Sequence, residues 1–260
     1  MHPMILAEMN LLRLAVSFMT RLPVGNPDYS PEKMHRALRY FPATGWLLAL
    51  LLCGLTVVVS AIVGVETAVV ITVIVSLLLT GALHEDGLAD TFDGFYGGLS
   101  SEQKLTIMKD SRIGTYGSGA LFGALALKVT LLLQLADAGI LLSALILAYP
   151  LSRAMAITHG QDLPYVTAPG KSKSDPLARP MSVTDLTVTL LSGAAALLLF
   201  PLWTAVAVIA SVVIARMLLR RWMKKHIGGF TGDCLGAAQQ LQELLIYFVL
   251  AASVLSGGSL

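Results

Sequence analysis

The sequence predicts an all-α fold: a polytopic integral membrane helical bundle of about seven transmembrane helices, preceded by an N-terminal interfacial amphipathic helix. Three observations predict it. Of 260 residues, 55% are hydrophobic and only 13% charged, where a soluble domain carries roughly 25% charged residues. Seven apolar runs, at 43–64, 67–83, 117–136, 138–157, 186–200, 202–219 and 235–256, approach the length of about 20 residues that crosses a bilayer. The basic residues alternate sides in step with those runs.

Taken in order, residues 1–42 form an interfacial segment. Its first twenty residues are interrupted by Glu8, Asn10 and Arg13, which suits an amphipathic helix lying on the membrane rather than a cleavable signal peptide. The block 186–219 would reach about 51 Å as one helix, too long for a hydrocarbon core of about 30 Å. Phe200-Pro201 is therefore read as a break between two helices. With the N-terminus inside, segments 1–42, 84–116, 158–185 and 220–234 share one side. Of the 18 Lys and Arg, all but Lys128 fall on that side or in the helical turns approaching it, among them Arg153 and Arg216. The opposite turns carry Glu66 and Asp137 and no cation. That asymmetry obeys the positive-inside rule and orients the chain. The formal charge of +2 is too small to argue for a nucleic-acid partner, and none is expected; Cys53 and Cys234 match neither a disulfide framework nor a zinc spacing.

The 84–116 segment opens with His84-Glu85-Asp86-Gly87-Leu88-Ala89-Asp90-Thr91-Phe92-Asp93-Gly94. On a helix Asp86, Asp90 and Asp93, at i, i+4 and i+7, share one face. Three like charges on one stripe repel, and a hard divalent cation with oxygen ligands relieves the conflict. A solvated capping loop built on the two Asp-Gly pairs is the plainer alternative. His84 is either a ligand, a hydrogen-bond donor or a structural histidine.

Next comes Lys109-Asp110-Ser111-Arg112-Ile113-Gly114-Thr115-Tyr116-Gly117. Lys109 and Arg112, three apart on a helical side, would clamp phosphate oxygens; Gly119 and Gly123 read as a small-residue helix contact. The 158–185 loop, which contains Lys171 and Lys173, has the length and polarity of a lid. The last constellation, Gly228-Gly229-Phe230-Thr231-Gly232-Asp233-Cys234-Leu235-Gly236, is a tight turn before the final span. Asp233 there is a helix cap, a further metal ligand or a general base. Glu243, two turns deeper, costs roughly 2.5–3.5 kcal/mol unless paired, and Arg153 and Arg216 are the candidate partners.

Together with Thr20-Arg21-Leu22-Pro23 and Phe41-Pro42-Ala43-Thr44-Gly45, these segments resemble the cobalamin synthase family, the adenosylcobinamide-GDP ribazoletransferases. The resemblance runs in order along nearly the whole chain, which reads as a single membrane domain, 1–260. It implies a Mg²⁺-dependent enzyme that joins adenosylcobinamide-GDP to α-ribazole, or its 5′-phosphate, and releases GMP. It implies that Glu85, Asp86, Asp90 and Asp93 hold Mg²⁺, that Lys109, Arg112, Arg153 and His84 contact substrate or its phosphates, and that Asp93 or Asp233 takes the hydroxyl proton. The expected location is the bacterial cytoplasmic membrane, with the site facing the cytoplasm. The expected partners are the two substrates and the lipid bilayer, with a homo-oligomer allowed. A membrane prenyltransferase, a CDP-alcohol phosphotransferase and a cation-coupled transporter are the rival readings; Asp90 stands where the phosphotransferase motif would place an arginine.

Overall fold

A computed structural model of the protein describes residues 3–167 and 175–255. Eleven α-helices account for most of it: α1 Pro3–Met19, α2 Pro31–Ala37, α3 Phe41–Val63, α4 Val65–Thr80, α5 Leu83–Gly97, α6 Ser101–Ile107, α7 Thr115–Asp137, α8 Leu141–Ile157, α9 Val183–Ala194, α10 Leu202–Ile227 and α11 Gly232–Leu255. Among the described residues the β-structure is one isolated bridge, Tyr165 to Phe230. The chain is a multi-pass helical membrane bundle.

The helix containing α3, with α7, α8, α10 and α11, is long and apolar enough to cross a bilayer; α4 and α5 pass the same test only as a pair bent by 86°. The stretch 186–200 becomes the short α9 followed by a 3₁₀ turn, Ala195–Leu199. Phe200-Pro201 does break the apolar block, because proline supplies no amide to the ladder. About seven is therefore an approximate count, with five or six helices of spanning length. Two stretches expected as loops are helical. Residues 84–97 belong to α5, and Arg220, Arg221, Lys224 and Lys225 ride on the last turns of α10.

α8 is the axis of the bundle. It is buried along nearly its whole length, and α3, α9 and α11 pack around it. Close approach is possible where the neighbours lack a side chain: a Cβ on Gly45 of α3 would lie 2.6 Å from the Pro150 backbone. One apolar core, including Leu48, Leu52, Leu145, Val208 and Tyr247, fills the middle of the bundle. A second, including Leu14, Met34, Leu38, Phe41, Met223 and Phe230, fills the end where α1 and α2 lie. α1 buries Leu11, Leu14, Ala15, Val16 and Met19 and exposes Met4, Ile5, Leu6, Met9 and Leu12. That apolar outer face suits contact with lipid.

The elbow between α4 and α5 positions the site. α4 ends on Gly81 in the left-handed conformation (φ 64°), and Ala82 follows it at φ 56°. The Ala82 amide donates to Leu77 O, six residues closing on one, so the helix stops with its carbonyls satisfied. The Arg21 amide donates to Leu79 O, and the Arg21 guanidinium lies against Gly81, where any Cβ would collide with it. The chain then leaves at nearly a right angle, so α5 runs across the direction of α4.

Candidate active site

Helical geometry on α5 aligns Asp86, Asp90 and Asp93 on one face, as their spacing predicts. α5 meets the start of α11 through glycines. A Cβ on Gly87 would lie 2.8 Å from the carbonyl oxygen of Asp233, and one on Gly236 would lie 3.2 Å from that of His84. The two backbones touch, and Asp233 is brought to the acidic face. Burial, then the charges of Asp86, Asp233 and Asp93, push the Asp90 carboxyl up to about 7, because each disfavours the ionised form. Among the described residues no Lys or Arg is ion-paired with Asp86, Asp90 or Asp233. The charge conflict that the spacing predicts is present, and no ion pair among the described residues relieves it.

Asp93 is engaged elsewhere. Its two carboxylate oxygens accept from the Gly114 amide at 2.7 Å and the Gly117 amide at 2.8 Å, capping the first turn of α7 from a neighbouring helix. A Cβ on Gly114 would sit 2.5 Å from Asp93 Oδ1, and one on Gly117 would fall inside the carboxylate. The missing side chains of these two glycines make room for the Asp93 carboxylate.

Glu85 departs from the expected ligand set. It is turned into the bundle, where it accepts from Gln240 Nε2 at 2.9 Å and stands 3.9 Å from Lys128 Nζ. Lys128 also pairs with Glu243 at 3.0 Å and donates to Gln240 at 2.8 Å. Gln239 Nε2 donates to Glu243 at 2.6 Å and to Ser152 at 2.9 Å. Glu243 is therefore paired by Lys128, not by the arginines expected for it, and Arg216 pairs with Asp162 at 2.9 Å. The sequence carries a signal for this: Lys128 is the one basic residue mid-span, and Glu243 is an acid at matching depth.

Arg153 is 2% exposed and makes no ion pair within the described residues; its guanidinium donates to Tyr149 O at 2.9 Å and lies over the Tyr149 ring. Arg153 Nε and His84 Nε2 are both buried without a hydrogen-bond partner. Both residues line a cavity of about 60 Å³, with Asp233, Gln239 and Gly232 on its wall. A buried guanidinium and an imidazole with spare donors, next to the carboxylate face, form a place for an anion.

Lys109 and Arg112 do not share a helical side, because α6 ends at Ile107 and residues 108–114 form turns. Arg112 folds back on Asp110, donating to it at 2.6–3.2 Å, and that contact holds the exposed Asp110 carboxyl down at about 2. Lys109 is exposed. Gly119 and Gly123 have open space beside them, so the small-residue contact expected there is not made among the described residues. The Gly228–Gly232 turn is a true tight turn: Gly228 ends α10 at φ 74°, and Phe230 exchanges backbone hydrogen bonds with Pro164 and Val166. Lys171 and Lys173 lie outside the described residues.

Among the described residues no three His, Cys, Asp or Glu side chains close into a metal cage. The donor set instead fits a hard cation that keeps water and shares its coordination with a phosphate, which is how Mg²⁺ binds. Asp86 and Asp90, with Asp233 beside them, are the residues available to it.

The chain is similar to known proteins along most of its length. A sequence profile described as cobalamin-5-phosphate synthase matches residues 11–251. A protein of Pseudoalteromonas atlantica named adenosylcobinamide-GDP ribazoletransferase is 55% identical over 245 residues, covering 94% of this chain and 91% of its own. Proteins of the same name from Vibrio cholerae and Shewanella amazonensis are 48% and 44% identical, each over 247 residues and 94% of this chain. They cover 94% and 95% of their own lengths. No solved structure matches the chain. The chain is an enzyme of the cobalamin-5-phosphate synthase family.

Proposed function

We propose that the chain joins adenosylcobinamide-GDP to α-ribazole or α-ribazole 5′-phosphate and releases GMP, with Mg²⁺, at the cytoplasmic face of a bacterial inner membrane. The observation that carries this is the meeting of Asp86, Asp90 and Asp233, without an ion pair among the described residues, beside a cavity lined by the buried Arg153. A ribose hydroxyl oxygen attacks the phosphorus attached to cobinamide. The new P–O bond forms as the anhydride P–O bond to GMP breaks. Such transfers depend on positioning and charge neutralisation. When bound, Mg²⁺ supplies charge for the diphosphate and the departing phosphate.

The residues of the chain divide the remaining tasks. Asp86 and Asp90 hold the cation. Arg153 and His84 present donors to phosphate oxygens, and Lys109 offers an exposed charge. Asp233 takes the hydroxyl proton, because both oxygens of Asp93 are committed to the α7 amides. Asp93 and Glu85 act as anchors that hold α5 against α7 and the bundle interior. The orientation rests on the asymmetric distribution of basic residues.

The test is an assay of purified protein in detergent or liposomes with both substrates and Mg²⁺, following GMP and cobamide together. Equal amounts of the two, lost on adding EDTA, are expected. Pyrophosphate in place of GMP, with carbon transferred, would make the protein a prenyltransferase.

A further inference from the structure

A second cavity, of about 450 Å³, lies on the other side of Phe18 and Leu83 from the Arg153 cavity. It is roofed by the last turns of α1 and floored by the elbow, and Asp86 stands at one end. Its size falls in the range that encloses a nucleoside-sized ligand; a corrinoid macrocycle does not fit. Leu14, Phe18, Met34 and Leu83 supply apolar walls.

Three of the hydroxyls around it already donate to backbone carbonyls. Ser17 Oγ donates to Leu14 O at 2.9 Å, Thr20 Oγ1 to Val16 O at 2.7 Å, and Thr80 Oγ1 to Ser76 O at 3.0 Å. A flat bicyclic base with little polar edge needs no hydrogen bond from these three. Tyr29 and the Arg21 guanidinium, at the rim, offer planar surfaces for stacking.

We infer that this cavity is the acceptor subsite: it takes the benzimidazole base of α-ribazole, with the ribose directed at Asp86. The inference rests on the transferase reading above and deepens it. Donor and acceptor then approach the carboxylates from opposite sides of the Phe18–Leu83 partition, which the stacking of Phe18 on Phe41, ring centroids 5.6 Å apart, holds in place.

Ser17 is exposed on α1 at the cavity mouth, so Ser17→Trp fills the cavity without disturbing the core. In the full-length protein that variant is expected to raise the KM for α-ribazole by about 10-fold or more, the effect of losing one apolar contact set, and to leave the KM for adenosylcobinamide-GDP within about 2-fold. Tyr29→Ala, at a position 60% exposed, is expected to move the same KM in the same direction with an unchanged melting temperature. Calorimetric binding of α-ribazole to the Mg²⁺-free protein should weaken in both variants, and GMP should not compete. A rise in the KM for adenosylcobinamide-GDP alone, competition by GMP, or no change in α-ribazole binding would overturn the assignment. A wild-type protein that binds α-ribazole in this cavity yet releases no GMP would instead overturn the transferase reading.

Discussion

Asp90 concentrates the chemistry of the site in one carboxyl group. Its raised proton affinity comes from burial and from Asp86, Asp233 and Asp93, so folding keeps a proton that the unfolded chain would release. The stability this lends is present below the ordinary carboxyl range near 3.8 and is lost as pH rises through about 7. In EDTA the melting temperature should therefore fall between about pH 4 and about pH 7, and Mg²⁺ should restore it most at the alkaline end. Calorimetry in buffers of different ionisation enthalpy should find protons released when Mg²⁺ binds near pH 7, and weaker binding at about pH 6 than at about pH 8. Asp86→Ala and Asp90→Ala should lower turnover by about 10³-fold without lowering the melting temperature, since these groups act on developing charge and their removal relieves the conflict on α5. Retained activity in either would remove that residue from the site. Asp93→Ala should behave differently. It leaves two α7 amides without their acceptor, so its first effect should be a lower melting temperature, by the equivalent of about 1–3 kcal/mol.

At the scale of elements, the close crossing of α5 over α11 delivers Asp233 to the cluster. Gly87→Ala puts a methyl 2.8 Å from the Asp233 backbone and should push the helices apart. It should lower kcat by about 10²-fold, since misplacement by about 1 Å is enough. Lys128→Met strands Glu85 and Glu243 inside the bundle and should destabilise by about 3–5 kcal/mol. Adding Glu243→Gln should recover part of the loss. The limits of sequence reading show most clearly here. The face carrying Asp86 and Asp90 is legible because it depends only on helical periodicity. The inward turn of Glu85 is not, because it depends on Lys128 and Gln240, which are local to nothing near residue 85. The spacing of Lys109 and Arg112 suggests a common helical side, but α6 ends two residues before Lys109 and Asp110 claims the arginine. The glycines follow the same rule. Gly81 and Gly228 can be read as helix stops, whereas the roles of Gly87, Gly114 and Gly117 need a partner helix to become visible.

For the whole molecule, the polar groups divide by depth. The middle of the bundle pairs Glu85 and Glu243 with Lys128, while the end holds an acidic face without an ion pair among the described residues. The first keeps the helices together; the second is the face that the proposed function gives to a cation. Both native cysteines are buried, so the wild-type background should be silent to aqueous thiol reagents. Single cysteines at Ser60 and Ser100 should then label from opposite sides of intact vesicles; labelling of both from one side would end the proposed orientation. The elbow at Gly81-Ala82 also bears on how such a chain can change over generations. One extra residue between Thr80 and Asp86 would turn α5 by about 100° about its own axis, carrying Asp86 and Asp90 away from Asp233 and Glu85 away from Lys128 together. A side chain facing lipid along α4 can be exchanged without moving the site, whereas a single codon gained or lost across the bend would dismantle it.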